Sequence, residues 1–406
     1  MRVHRKNGSG PQRAAHSARF LAVLMAVIVT ALTACGGAGS DKKEESAAAA
    51  QTQEAPEKKE EKKPYTPAVH EEGKLYVGIL QQADHGALNE TSRGFEDQLR
   101  ELMGDKVVID HRIADGSKAG CDEIAAQILA DGDDLILAEG SGALQSASEA
   151  TKDVPIVGAA VTDFIVAGGV SSVDEPGGNV SGISDLPPME TQKDALRALM
   201  DYEGTVGVVF GSGEKGARFQ AELMEKYLDD DGMDWIEYRF ADEKEMRAVL
   251  EQACDECSAL YLPSDNILAM NMSVVKEISV AKGVKVFTSD KHMCSEGGLC
   301  TISVDYYELG VRAADMAYDA LVYGTDKGRD LFSVEESEDE EEDDDRGDLG
   351  KTPIDRVKDT AAGYYNPVVA DALGWVPTGE YAPLEVEDDG QSGENGDITE
   401  ENGEDS

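Results

Sequence analysis

Positive charge is scarce in this chain. It has 37 Lys and Arg against 82 Asp and Glu, a formal net charge of −45. Nucleic acid and anionic lipid surfaces need a basic face, so both are excluded as partners. Aromatics make up 6% of the residues, and Trp occurs twice. Histidine is rare, with six in all, and none stands in a triad or metal-ligand spacing. No catalytic residue, metal or cofactor is therefore expected. One hydrophobic run stands out, over residues 20–32, and it is too short for a comfortable membrane span.

That run carries the marks of export. Arg2, Arg5, Lys6, Arg13 and Arg19 precede it, and Leu32-Thr33-Ala34-Cys35-Gly36-Gly37 closes it. A basic start, an apolar middle and small residues before a Cys resemble the bacterial lipoprotein signal. That resemblance implies removal of residues 1–34, a lipid on the Cys35 sulfur and a place on the outer face of the cell membrane. Residues 35–73 are rich in Ala, Glu, Lys, Ser and Gln and read as a disordered, lipid-anchored tether. Residues 335–345, within an insert over 333–351, are almost all acidic, and a tail over 385–406 is another acidic, Gly-containing stretch. Like charges repel and stay solvated, so both read as disordered. Arg346-Gly347-Asp348 looks like an adhesion tripeptide, a string short enough to arise by chance.

Outside the cytoplasm disulfides persist. Cys254 and Cys257 form a C-x-x-C, and Cys294 and Cys300 follow. The pairs fall at opposite edges of an expected parallel sheet, roughly 17 Å apart. A shared zinc needs roughly 2.3 Å per thiolate, so it is excluded. Two local disulfides, Cys254–Cys257 and Cys294–Cys300, are expected, with a redox C-x-x-C as the other reading. Cys121 is left as a buried apolar thiol.

The body alternates strand-like and helix-like runs. Residues 75–80, 107–113, 135–138 and 155–161 are short, apolar and β-branched, with amphipathic patterns at 87–103, 122–130 and 143–151 between them. The pattern restarts with strands at 206–210, 235–240, 259–262, 284–287 and 301–304 and helices at 217–228, 243–254 and 267–281. Alternating β and α implies parallel sheets covered on both faces. The expected architecture is α/β, two Rossmann-like lobes joined by a hinge of crossing strands. Lobe 1 is placed at 74–185, lobe 2 at 186–305, a return helix at 306–332 and a C-terminal return segment of lobe 1 at 352–384.

Polar and Gly-rich residues gather after the strands, where open α/β sheets bind ligands. Helix N-termini there offer free N–H groups to a carboxylate. Ser141, Gly142 and Thr162 are expected to hold a ligand carboxylate. Asp265 is expected to hold an ammonium group, supported by Asn266 and Ser212. Gln82, His85, Asp163, Asp185 and Asp290 complete the candidate set, with Phe164 as a wall for an apolar side chain. The competing role for the Ser, Thr, Asp and Asn residues is N-capping, and for Phe164 core packing. Gly211-Ser212-Gly213-Glu214-Lys215-Gly216 also reads as G-x-G-x-x-G, with Asp234 and Glu237 about 20 residues on, as in dinucleotide sites. Alone it is weak evidence, and a glycine-shaped βα loop is the better reading.

Several stretches carry a family resemblance: "VGILQQADHGAL", "ATKDVPIVGAAVTD", "VAGGVSSVDEPGGNVSGISDLPPMETQ", "LPSDN" and "SVDYYELG". In this order they resemble the lipoprotein substrate-binding proteins of ABC transporters, including the tryptophan- and tyrosine-binding members. The resemblance implies a type I periplasmic-binding fold and no enzymatic activity. It also implies an aromatic amino-acid ligand, a permease and an ATPase as partners, and a monomer. The alternative function is a ligand-sensing lipoprotein serving a membrane kinase or chemoreceptor. The chain departs from the family where Gly86 replaces a usual Pro, Asn89 a usual acid and Asp163-Phe164 a usual Asp-Pro. It departs again where Gly211-Ser212-Gly213 replaces an Asn-containing loop.

Overall fold

The computed structural model describes residues 65–200, 203–333 and 345–386. The leader, Cys35, most of the tether, the most acidic part of the insert and nearly all of the tail lie outside the described residues.

The first lobe begins with β1 (Leu75–Gln81), α1 (Gly86–Met103), β2 (Val107–Ile113), α2 (Lys118–Asp131) and β3 (Leu135–Glu139). It continues with α3 (Ser141–Ala150), β4 (Ile156–Ala159), the short α4 (Phe164–Gly168) and β5 (Val180–Ser184). Every residue of β1, β3, β4 and β5 is buried, as strands covered on both faces require. The second lobe opens with α5 (Met189–Leu199), β6 (Thr205–Gly211), α6 (Lys215–Asp230), β7 (Asp234–Phe240), α7 (Glu243–Glu256) and β8 (Ala259–Leu262). It runs on through α8 (Asn266–Ala269), α9 (Met272–Lys282), β9 (Lys285–Thr288), α10 (Lys291–Glu296) and β10 (Cys300–Ser303). The single helix expected at 267–281 is two, because Asn271 leaves helical geometry and its side chain donates to the Ile267 carbonyl at 2.8 Å.

The chain then returns to the first lobe through α11 (Tyr306–Val322) and α12 (Asp326–Phe332). Leu309, Ala313, Ala317 and Leu321 of α11 join Ile79, Phe95 and Leu99 in one core. Two glycines let α1 and α11 meet backbone to backbone. A Cβ on Gly94 would lie 2.2 Å from the Tyr307 carbonyl oxygen, and one on Gly310 2.1 Å from that of Thr91.

The C-terminal segment departs from expectation. Residues 352–384 do not all belong to lobe 1. Only β11 (Asp355–Arg356) pairs there, with β5. The chain then crosses, and β12 (Ala362–Tyr365) pairs antiparallel with β10. After α13 (Pro367–Leu373), β13 (Tyr381–Pro383) extends the same sheet. The reason is packing: Val369, Ala370, Leu373 and Trp375 cover the second-lobe core beside Leu196 and Cys300. The first sheet is thus β11-β5-β4-β3-β1-β2 and parallel throughout. The second is β13-β12-β10-β9-β8-β6-β7. Three connections cross between the lobes, at 184–189, 303–306 and 356–362.

The cysteines also correct an expectation. Cys254, Cys257, Cys294 and Cys300 form no disulfides; with Cys121 they are free and buried. Cys254 and Cys257 pack beside Leu250 and Leu260, and the Cys257 Sγ lies 3.6 Å from the Tyr238 hydroxyl. Burial pushes the Cys254 thiol up to about 11 and Cys121 up to about 12. They act as small hydrophobes rather than as nucleophiles. Among the described residues no helix is long and apolar enough to cross a membrane.

Candidate solute-binding cleft

The carboxyl ends of both sheets face one cleft. His85, Leu88, Ser141, Ala160 and Thr162 line it from the first lobe, and Glu214, Gly216, Ser264, Asp265, Asn266 and Asp290 from the second. Asp185 and Tyr306 come from two of the crossing connections. The cavity measures about 40 Å³. It is small because the lobes touch. His85 Nε2 lies 2.9 Å from Asn266 Oδ1, and Lys215 Nζ donates to Gln145 Oε1 at 2.9 Å. Glu90 of α1 meets Lys291 at 3.0 Å and His292 at 2.6 Å, both on α10.

One wall offers donors. β3 ends at Glu139, and Gly140 (φ +93°) turns the chain so that α3 starts at the cavity. Gln82 Oε1 accepts from the Gly142 N–H at 2.8 Å. Gln82 and Gly142 therefore brace this turn, while Gly140, Ser141 and Thr162 line the cavity. Ala160 holds a left-handed φ of +51° at the end of β4, a strained geometry of the kind found where a loop is shaped for a ligand.

The other walls are acidic. Asp185 is 5% exposed, and its Oδ2 accepts from the Tyr306 hydroxyl at 3.3 Å. Its Oδ1 is buried with no partner among the described residues. Burial raises its carboxyl to about 6; Thr162 and Tyr306 pull it down and Asp290 pushes it up. Glu214, at the N-cap position of α6, accepts from Asn266 Nδ2 at 3.0 Å. Burial, with Asp265 beside it, raises Glu214 to about 7. His85 is held below its ordinary value by burial, against the bond to Asn266. No Lys or Arg lines this cavity. Its carboxyl groups favour a cation, while the α3 N-terminus with the Ser141 and Thr162 hydroxyls suits an anion.

Three of the expected ligand acids act as helix caps. Asp265 spends both oxygens on backbone, accepting from Leu268 N at 3.0 Å and Gly211 N at 2.7 Å. Asp290 accepts from the His292 and Met293 N–H groups at 2.9 Å each. Both still line the cavity, but Asp265 has both oxygens occupied, whereas Asp185 Oδ1 is buried with no partner among the described residues. Asp163 caps α4 and stands outside this cavity. Ser212 also stands outside, its hydroxyl donating to the Phe240 carbonyl at 2.8 Å. Phe164 is 2% exposed and packs in the first-lobe core. A Cβ on Gly158 would come within 2.6 Å of its ring. Sequence reasoning missed Glu214 and Tyr306, while Ser264 lies in a loop expected at the cleft and lines the cavity. Glu214 was hidden inside the glycine loop, and Tyr306 inside "VDYYELG", where it reads as a helix start. That loop is shaped by close approach rather than by φ. A Cβ on Gly211 would meet Asp265 Oδ2 at 3.1 Å, and one on Gly216 would meet Ser141 Oγ at 2.8 Å and Thr162 Oγ1 at 3.1 Å. Among the described residues no cluster of three His, Cys, Asp or Glu could hold a metal.

Comparison with known proteins agrees with this architecture. Residues 76–334 match the family described as ABC transporter substrate binding protein. A tyrosine-binding protein of Clostridioides difficile (strain R20291) is 29% identical over 248 residues, covering 60% of this chain and 72% of the relative. Among solved structures, an ABC domain in complex with L-Trp from Streptococcus pneumonia aligns with a TM-score of 0.64 and 25% identity, over 74% of this chain and 95% of that one. A ligand-free, open substrate-binding protein with adhesive properties from Clostridium difficile shares the fold, with a TM-score of 0.56 and 24% identity, over 77% of this chain and all of that one (100%). The two parallel-sheet lobes are those of type I periplasmic-binding proteins, and the function is solute binding rather than catalysis. The chain belongs to the ABC transporter substrate-binding protein family.

Proposed function

We propose that this protein captures an aromatic amino acid between its lobes and delivers it to an ABC importer. In this reading it is a monomer held on the outer face of the cell membrane by a lipid on Cys35. Its partners are a permease with an ATPase. The observation that carries the reading is one cavity complementary to a zwitterion. Ser141, at the N-terminus of α3, and Thr162, in the loop after β4, suit a carboxylate. Asp185, with an unpartnered buried oxygen, suits an ammonium. The amino acids named for the C. difficile relative and the S. pneumonia structure support an aromatic side chain.

The mechanism is closure. A ligand that touches Ser141 in one lobe and Glu214 in the other gains both contacts only when the lobes meet, so it shifts the population to the closed form. The closed form then presents one composite surface to the permease.

Thermal unfolding of the purified chain against a panel of L-amino acids and nucleosides tests this. A specific ligand at about 100 times its Kd adds roughly 2.7 kcal/mol. A shift with tryptophan, tyrosine or phenylalanine alone is expected. A shift with another class would retain the receptor and refute the aromatic ligand. Mass analysis of the membrane-extracted protein, showing acyl chains on Cys35, tests the anchor.

A further inference from the structure

A second cavity meets the first at one residue. Thr162 lines the acidic cavity and also a cavity of about 150 Å³ lined by Ile165, Leu186, Phe219 and Ile354, with Asp163 and Arg356 as its charged residues. The lining is mostly apolar, and it too is built from both lobes: Ile165 lies on α4, Phe219 on α6. An apolar cavity of about 150 Å³ is the size that takes a benzene ring, whereas about 10–15 Å³ suffices for a water. The acidic cavity, at about 40 Å³, holds a charged head group and little more. At that shared residue the second lobe comes close: a Cβ on Gly216 would lie 3.1 Å from Thr162 Oγ1.

We propose that this second cavity is the side-chain subsite. The α-amino and α-carboxylate groups sit in the acidic cavity, the Cβ passes Thr162, and the ring lies between Ile165 and Phe219. The inference rests on the amino-acid reading above and deepens it, because it names the residues that set side-chain preference. Phe164, expected as that wall, lines the inner side, while its neighbour Ile165 stands 52% exposed at the mouth.

Two variants test it in the full-length chain, by calorimetric titration with L-phenylalanine and, by competition, L-alanine. Phe219→Ala removes one ring contact. Ile165→Trp fills the mouth from an exposed position that the core does not depend on. Both are expected to weaken phenylalanine at least tenfold while changing alanine less than twofold, so the selectivity ratio collapses. Asp185→Asn, at the head-group end, is expected to weaken both ligands together and leave the ratio intact. Phenylalanine binding with an unchanged ratio in both Phe219→Ala and Ile165→Trp would overturn the subsite and leave the amino-acid reading standing. Failure of the wild-type chain to bind any amino acid would overturn both.

Discussion

The ion cluster between α1 and α10 should act as a latch on the closed lobes. Glu90 belongs to the first lobe, and Lys291 and His292 to the second, so their contacts at 3.0 and 2.6 Å exist only when the cleft is shut. Arg93 adds a weaker contact to Glu90 at 3.5 Å. Burial alone would raise the Glu90 carboxyl, but His292 and Lys291 overcome it and hold it at about 2, from an ordinary value of 4.5. That shift corresponds to roughly 3 kcal/mol favouring the charged carboxylate. The cluster is partly open to water, which screens it, so about 1–2 kcal/mol is the working figure. Glu90→Gln keeps the shape and removes the charge. Ligand Kd should then rise about 5- to 30-fold, mostly through faster release, since the latch forms after encounter. Glu90 sits below its ordinary value in the closed form, so the part of the latch that depends on its ionisation fades as pH falls from about 4.5 toward 2. Titration calorimetry and stopped-flow release rates of wild type and variant at neutral pH are the assay. A variant with unchanged Kd and release rate would refute the latch.

Asp185→Asn should stabilise the ligand-free protein while weakening binding. The folded-state value of about 6 lies above the ordinary 3.8, so its burial destabilises the fold increasingly as pH rises through that range, by about 1–3 kcal/mol at neutral pH. Melting curves should show a larger gain for the variant at pH 8 than at pH 4, and an equal gain at both would count against the assignment. Gly216→Ala places a methyl 2.8 Å from Ser141 Oγ and props the lobes apart, so affinity should drop more than tenfold with melting nearly unchanged; binding at wild-type strength would show that closure is looser than described. Gly310→Ala drives a methyl into the Thr91 carbonyl and should destabilise the chain by about 3 kcal/mol, read as a shift in denaturant midpoint.

Much of this was legible in the sequence, for identifiable reasons. Parallel strands buried on both faces are short apolar runs, so β1, β3, β6 and β8 announced themselves. β11 and β13, with two and three residues, carry no periodicity. That is why the crossing of the C-terminal segment into the second lobe was invisible. Loops after strands pointed to the cleft, but residue type could not separate caps from ligand contacts. Asp163, Asp265 and Asp290 look alike in sequence, and all three cap a helix. Asp185 instead accepts from the Tyr306 hydroxyl and leaves its Oδ1 without a partner among the described residues, which only the fold reveals. Cysteine spacing likewise suggested bridges where the chain uses thiols as packing.

The path of the chain also has a consequence for its assembly. The first-lobe core needs α11, which follows the whole run of elements from β6 to β10, and its sheet edge waits for β11. The second lobe gains β12 and β13 only at the end of the described chain. As the polypeptide emerges from a ribosome or a translocation pore, neither half can close on itself until the C-terminal segment has appeared. Pairings so distant in sequence are slow to form. An order of elements that joins the two lobes in the finished receptor therefore also keeps the nascent chain open during synthesis.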